Sequence, residues 1–311
     1  MPQKVAGMKT PLILEVKGNA LDDGPGIRSV VFFKGCPLSC TWCHNPESKR
    51  IGLEIGFEAK TCAGCDTCIN LCPEQALSRD NPFFIDRDRC TLCFECVDAC
   101  PSGSLTQIGA PMTTDEIIAR VIRDKPFYDT SGGGVTLSGG EPTLFMEFAG
   151  EVLKALKAEG IHTLIETCGL FDLERFMDIL YPWLDLIYYD IKLIDKNSHT
   201  RYCGVSNEII LNNFKTLCAR AQNGGVSILP RTPLIPGITD TPENIRAIAE
   251  FLTSSGITEA RLLPYHPLWQ EKNCKIGISP DTGNSKEMDQ WLDNQVLAEC
   301  RTIFEAAGLS V

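Results

Sequence analysis

The chain has 311 residues, 43% apolar and 22% charged, which suits one large core carrying a small inserted unit and excludes a disordered chain. Its formal net charge of -11 comes from acidic and basic residues mixed along the sequence, so the clustered Lys and Arg of a nucleic-acid surface are absent. No apolar run approaches the roughly 20 residues of a membrane span and no leader-like apolar segment opens the chain, so a soluble, cytoplasmic protein without membrane attachment is expected.

In chain order, residues 28–35 form an apolar run rich in β-branched and aromatic side chains, which reads as a buried strand ended by Gly35. Similar runs at 135–137, 163–166, 186–191, 226–229 and 260–263 predict further strands. Helical patterns occupy 114–125, 145–159, 173–180, 207–222 and 242–254, several behind a capping Thr or Asp, and a last one covers 286–306 after a polar loop. Strand and helix in alternation imply parallel strands with right-handed crossovers, so the fold class is α/β and the expected architecture an open, partial (β/α)6 TIM-like barrel. A doubly wound sheet is the alternative. In such barrels chemistry gathers at the C-terminal strand ends. Here those ends read Gly-Cys, Ser-Gly-Gly-Glu, Glu-Thr-Cys-Gly, Asp-Ile-Lys, Pro-Arg and Pro-Tyr-His.

Sixteen cysteines point to metal binding in a cytosolic chain, and their spacing sorts them. Cys168, Cys203, Cys218, Cys274 and Cys300 are scattered and read as small buried hydrophobes. Cys62, Cys65, Cys68, Cys72 and Pro73 recur as Cys90, Cys93, Cys96, Cys100 and Pro101, an internal repeat inside residues 58–106. That segment reads as a ferredoxin-like insert, with the barrel in 12–57 and 107–311. In C-x2-C-x2-C-x3-C-P runs the fourth cysteine ligates the other of two clusters. Cys62, Cys65, Cys68 and Cys100 are then expected around one 4Fe-4S cluster, and Cys72, Cys90, Cys93 and Cys96 around a second. A pair of zinc sites is the alternative, although zinc usually takes two separated C-x2-C pairs.

The third group, Cys36-x3-Cys40-x2-Cys43, has three thiolates and no fourth cysteine close by in sequence. A four-iron cluster held by three thiolates keeps one iron open to chelate a ligand. Trp42 would shield it with apolar surface. A zinc site completed by His44 or a distant cysteine, and a cluster with a fourth ligand from elsewhere, are the alternatives. Gly139 and Gly140 follow a strand and permit close backbone approach. Asp190 and Lys192 share one face of a strand end, where a surface ion pair would look the same.

The C-x3-C-x2-C loop resembles the signature of the radical S-adenosylmethionine superfamily. Asp23-Gly24-Pro25-Gly26-Ile27-Arg28, Cys43-His44-Asn45-Pro46-Glu47, Ser138-Gly139-Gly140-Glu141-Pro142, Asp190-Ile191-Lys192 and Leu263-Pro264-Tyr265-His266 narrow the resemblance to glycyl-radical enzyme activating enzymes with a two-cluster insert. The resemblance implies three 4Fe-4S clusters and S-adenosyl-L-methionine bound at the open iron, with Cys36, Cys40 and Cys43 as the catalytic ligands. Reductive cleavage would yield methionine and a 5'-deoxyadenosyl radical, which takes a Cα hydrogen from a glycine of a partner glycyl-radical enzyme. A flavodoxin or ferredoxin would supply the electrons, relayed through the insert clusters. By the same resemblance Trp42, Gly139, Gly140, Glu141, Glu166, Thr167, Asp190, Lys192, Arg231 and His266 surround the cosubstrate. Glu166, Thr167 and Asp190 would also frame a monovalent cation, with Glu166 standing where the family often has Asp. Gly24, Pro25, Gly26 and Arg28 would belong to the rim that receives the partner's glycine loop. Two other functions are open at this point: a related radical reaction on a small molecule or peptide, and a polyferredoxin-type electron carrier. About 200 residues of barrel-like pattern exceed what cluster support alone requires.

Overall fold

The computed structural model describes residues 10–222, 224–279 and 286–311. Its strands are β1 (Leu12–Ala20), β2 (Arg28–Phe33), β3 (Glu54–Phe57), β4 (Leu105–Ile108), β5 (Ala110–Pro111), β6 (Gly134–Gly139), β7 (His162–Thr167), β8 (Leu186–Asp190), β9 (Ser227–Leu234) and β10 (Arg261–Pro264). Its α-helices are α1 (Thr67–Leu71), α2 (Glu95–Asp98), α3 (Thr114–Val121), α4 (Lys125–Ser131), α5 (Met146–Ala158), α6 (Leu173–Ile179), α7 (Lys196–Cys203), α8 (Glu208–Ala221), α9 (Pro242–Ser254), α10 (Trp269–Lys275) and α11 (Asn294–Ala306). The large sheet runs β10-β9-β8-β7-β6-β2-β1-β5, and every pair from β2 to β10 is parallel. Strand order in this parallel part follows chain order without the reversal that marks a doubly wound sheet.

Alternation along the strands decides what each face does. One face carries Val31, Phe33, Val135, Leu137, Ile165, Ile187 and Tyr189 into a single core with Val152 and Leu156 of α5, Phe214 and Leu217 of α8, and Ile245 and Leu252 of α9. Truncating a fully buried phenylalanine such as Phe214 to Ala removes about 3–5 kcal/mol of stability. The intervening positions carry polar groups: Arg28, Thr136, Ser138, Glu166, Asp190 and Arg231. A parallel sheet normally buries apolar side chains on both faces. Here the second face is surrendered to a site.

Several helices start where their caps require. Thr113 and Glu116 form a reciprocal capping box on α3, and Asp172, Asp195 and Thr241 accept backbone N–H bonds at the starts of α6, α7 and α9. Several elements depart from the sequence reading. β1 pairs antiparallel with β2. β9 runs on through Pro230 and Pro233. The predicted helix over 286–306 is a 3-10 turn at Lys286–Asp289 followed by α11.

β3 and β4 form a separate two-stranded antiparallel stem, pairing Glu54–Phe57 with Leu105–Ile108. The cysteine-rich segment lies between them, with its own small core of Ile55, Leu77, Phe84, Ile85, Cys96 and Leu105. The stem is tied to the main sheet by the buried Lys34, whose Nζ donates to Glu54 Oε2 at 2.6 Å and to the Glu47 carbonyl at 2.7 Å. Helix α10 braces the same junction. Lys60 pairs with Glu271 at 2.7 Å, and Lys272 Nζ donates to the His44 carbonyl at 2.9 Å and to Asn45 Oδ1 at 3.0 Å. Among the described residues no helix is long and apolar enough to cross a membrane.

Candidate active site

The three-cysteine loop leaves β2 and is clamped from two sides. Gly35 N–H donates to the Ser48 carbonyl at 2.6 Å, and Lys49 Nζ donates to the Cys40 carbonyl at 2.8 Å. On the other side, the N–H groups of Ser39 and Thr41 donate to the carbonyls of Cys203 and Tyr202 at 2.9 and 3.0 Å. Helix α7, which the sequence reading missed, therefore supports the loop. Cys36, Cys40, Cys43 and Trp42 line one cavity of about 310 Å³, together with Gly139, Gly140, Glu166, Thr167, Asp190, Lys192 and Arg231.

Two of the scattered cysteines lie beside this loop. Cys168 lines the cavity, and Cys203 is buried against Cys40. They are buried as expected, yet they pack with Leu38, Cys40 and Trp42, a proximity that distance in sequence concealed. The neighbouring Cys203 thiol lowers the Cys40 thiol to about 7 against the opposing effect of burial, helped by Lys192 and Lys49. Burial pushes Cys43 up to about 11 and raises Cys36 as well.

Opposite the thiols stands an ionic network at the ends of β6 to β9. Arg231 pairs with Glu166, and its Nε and Nη2 donate to Asp190 Oδ1 at 3.0 and 2.9 Å. Lys192 Nζ donates to Asp190 Oδ2 at 3.1 Å, and Ser138 Oγ to Glu166 Oε2 at 2.6 Å. The two cations outweigh burial and hold the Asp190 carboxyl below its usual range. The Arg231 guanidinium also lies 4.9 Å from the Tyr188 ring centroid.

Other residues singled out in the sequence fall elsewhere. Glu141 is fully buried behind the cavity, accepting from Thr143 N and Oγ1, from Thr167 Oγ1 at 2.9 Å and from Cys168 N at 2.7 Å. It ties the turn after β6 to the end of β7. Gly139 has φ of 106°, and a Cβ on Gly140 would lie 2.1 Å from the Gly35 carbonyl oxygen, so both glycines let this turn press against the cysteine loop. Arg28 is also fully buried; its guanidinium donates to Thr136 Oγ1 at 2.7 Å and to the carbonyls of Val135 and Pro25. It anchors the 21–27 turn, with Gly24, Pro25 and Gly26, and offers no side chain at a rim. Asp23 in that turn has its carboxyl raised by burial and by the charge of Glu166, and its carbonyl accepts from Thr136 Oγ1 at 2.7 Å.

His266 lies outside the cavity lining and stacks on His44, with ring centroids 4.1 Å apart. His44 does line the cavity, and burial lowers it to about 4. Its Nε2 and the Nδ1 of His266 are buried without a hydrogen-bond partner, so both rings hold a polar atom ready for a ligand. Sequence reasoning gave no cavity role to Asn45 or Ser138, weighed His44 only as a zinc ligand and read Cys168 as a buried hydrophobe, although all four stood inside motifs or strand ends that it quoted. A larger cavity of about 560 Å³ lies at the opposite ends of β8 to β10, with Glu259 and Arg261 among its lining residues.

In the insert, Cys62, Cys65, Cys68 and Cys100 line one cavity and Cys72, Cys90, Cys93 and Cys96 another. The two repeats share left-handed backbone at equivalent positions: Gly64 with Leu92, Asp66 with Phe94, and Gln75 with Gly103. Left-handed conformation costs a non-glycine residue about 1 kcal/mol or more. Such alternation turns successive N–H groups inward into a nest of the kind that holds iron–sulfur and phosphate groups. Among the described residues no three His, Cys, Asp or Glu side chains converge on a single metal ion.

A family model described as the radical SAM superfamily matches residues 30–252. The chain is 38% identical over 304 residues to the trans-4-hydroxy-L-proline dehydratase activating enzyme of Clostridioides difficile, covering 96% of this chain and 98% of that protein. It is 41% identical over 269 residues to the isethionate sulfite-lyase activating enzyme of Nitratidesulfovibrio vulgaris, covering 85% and 86%. Among solved structures, a radical SAM methyltransferase from Sphaerobacter thermophilus shares the fold, with a TM-score of 0.50, 14% identity and coverage of 97% of this chain and 76% of that one. The chain belongs to the radical SAM superfamily and, within it, to the activating enzymes of glycyl-radical enzymes.

Proposed function

We propose that the sequential parallel sheet acts as a partial barrel whose polar inner face holds S-adenosylmethionine against a 4Fe-4S cluster carried by Cys36, Cys40 and Cys43. The observation that carries this reading is that these three thiols share one cavity with the ionic network of Glu166, Asp190, Lys192 and Arg231. When bound there, the cluster supplies the electron that cleaves the cosubstrate and so yields the radical that takes the partner's glycine hydrogen. The chain's own residues bind and insulate. Lys192 and Arg231 present positive charge to a carboxylate, Trp42, 4% exposed, covers the loop with apolar surface, and the unpartnered ring nitrogens of His44 and His266 face the nucleoside side. The turn at Asp23 to Gly26, fixed from beneath by Arg28, bounds the space into which a backbone glycine of the partner must reach.

The insert residues fit two further 4Fe-4S clusters in crossed sets, since each cavity gathers three cysteines of one repeat and the fourth of the other. The set with Cys90 and Cys93 abuts Ile55 of the stem, and Arg87 reaches the Lys275 carbonyl of α10, the helix that also grips the His44 loop. Electrons from a flavodoxin or ferredoxin would enter by this side. The test is conversion of S-adenosylmethionine to 5'-deoxyadenosine by reconstituted, dithionite-reduced protein, followed by a glycyl-radical signal on an added partner. Absence of the nucleoside product would reject the reading.

A further inference from the structure

The family resemblance implies an exchangeable monovalent cation framed by Glu166, Thr167 and Asp190, and the residues present do not fit one. All four carboxylate oxygens are already occupied. Glu166 Oε1 meets Arg231, and Glu166 Oε2 accepts from Ser138 at 2.6 Å. Asp190 Oδ1 accepts from Arg231 at 2.9 and 3.0 Å, and Asp190 Oδ2 from Lys192 at 3.1 Å. The Thr167 hydroxyl is turned away as well, donating to Glu141 at 2.9 Å and accepting from Gly169 N at 3.0 Å. Within the network two carboxylates face two fixed cations, and the nearby Asp23 carboxyl is raised by burial and by Glu166.

Glu at position 166 explains how this arrangement arises. β7 and β9 flank β8, so their side chains must meet across two strand spacings, roughly 9–10 Å. The longer glutamate reaches Arg231 over that gap where an aspartate would fall one methylene short. The guanidinium has five N–H donors, three of which these contacts use, and the others remain for a ligand in the cavity that Arg231 lines.

We propose that the Arg231 guanidinium is the built-in cation of this site, filling the place between Glu166 and Asp190 and facing the cosubstrate carboxylate, so that the enzyme needs no exchangeable monovalent ion. The inference rests on the cosubstrate reading above. Arginine suits the role because its planar fork holds carboxylates through paired hydrogen bonds and stays charged at any working pH.

The experiment measures S-adenosylmethionine affinity and 5'-deoxyadenosine formation by the reconstituted enzyme in tetramethylammonium, sodium and potassium buffers of equal ionic strength. Wild-type values should agree within about twofold across the three cations. A larger gain with potassium or sodium overturns the proposal. Arg231→Gln, checked for intact cluster content, should bind about tenfold more weakly in tetramethylammonium and recover several-fold in potassium, because the vacated acidic pair can then take an ion. Lack of recovery also overturns it. Failure to bind in any buffer would reject the cosubstrate reading itself, an outcome distinct from cation dependence.

Discussion

The two cysteine-rich regions place their thiols in different company. Around the loop after β2, three thiols share a cavity with Glu166, Asp190, Lys192 and Arg231, and the buried Trp42 lines it. In the insert, each cavity is ringed by four thiols on loops and short helices, and Cys65 and Cys93 are exposed. The first arrangement has fixed charge with which to bind and orient a polar ligand. The second gathers four thiols at each cavity and leaves one thiol of each set open to solvent. The same residue type thus does separate work according to how many thiols converge and what stands opposite.

The comparison is broken most directly by removing one thiol from each region. Cys43→Ala should abolish 5'-deoxyadenosine formation, a loss of about 10³-fold or more, because on the proposed reading it strips a ligand from the cosubstrate site. Cys93→Ala should keep dithionite-driven cleavage within a few-fold while losing about tenfold with a flavodoxin or ferredoxin donor. Equal loss in both assays would mean that the insert supports structure alone.

A second contrast separates residues that touch the cavity from those that shape it. Glu141→Gln replaces a buried acceptor of four hydrogen bonds by an amide that meets at least one N–H with its own, so stability should fall by about 2–3 kcal/mol in urea titrations. Cosubstrate affinity of the folded variant should change little. Leu21, 70% exposed at the tip of the 21–27 turn, should matter only to the partner. Leu21→Asp is expected to lower partner activation by about tenfold with uncoupled cleavage unchanged, as read from glycyl-radical yield against nucleoside yield.

The smallest effect concerns pH. Burial lowers His199, whose Nδ1 faces the Val205 carbonyl at 2.7 Å in the helix that holds the Cys40 loop. Between its lowered value and about 6.5 the unfolded chain binds more protons than the folded one, so stability rises with pH and is lost as pH falls below about 6.5. Urea midpoints of wild type should therefore drop more than those of His199→Gln between pH 7 and pH 5.5.

The sequence showed the alternating strands and helices because hydrophobic period and caps are local signals. All six predicted parallel strands formed, and Pro242–Ser254 matched to the residue because Thr241 caps it and Pro242 opens it. β1 went unread because its exposed Glu15 and Lys17 dilute the apolar pattern. β9 was cut short because proline usually ends a strand. In the site, motif residues such as Trp42, Gly139, Asp190 and Lys192 came together in the cavity as their strand ends suggested. The burial of Glu141 and Arg28, and the approach of Cys168 and Cys203 to the cysteine loop, depend on tertiary contacts that carry no local signature.

The most direct test of the central claim is pulsed electron–nuclear double resonance on the reduced, reconstituted enzyme with S-adenosylmethionine labelled at its amino nitrogen and carboxylate oxygen. Direct coordination by the cluster of Cys36, Cys40 and Cys43 predicts strong couplings from both labels, lost in Cys43→Ala. Bound cosubstrate with neither coupling would contradict the account.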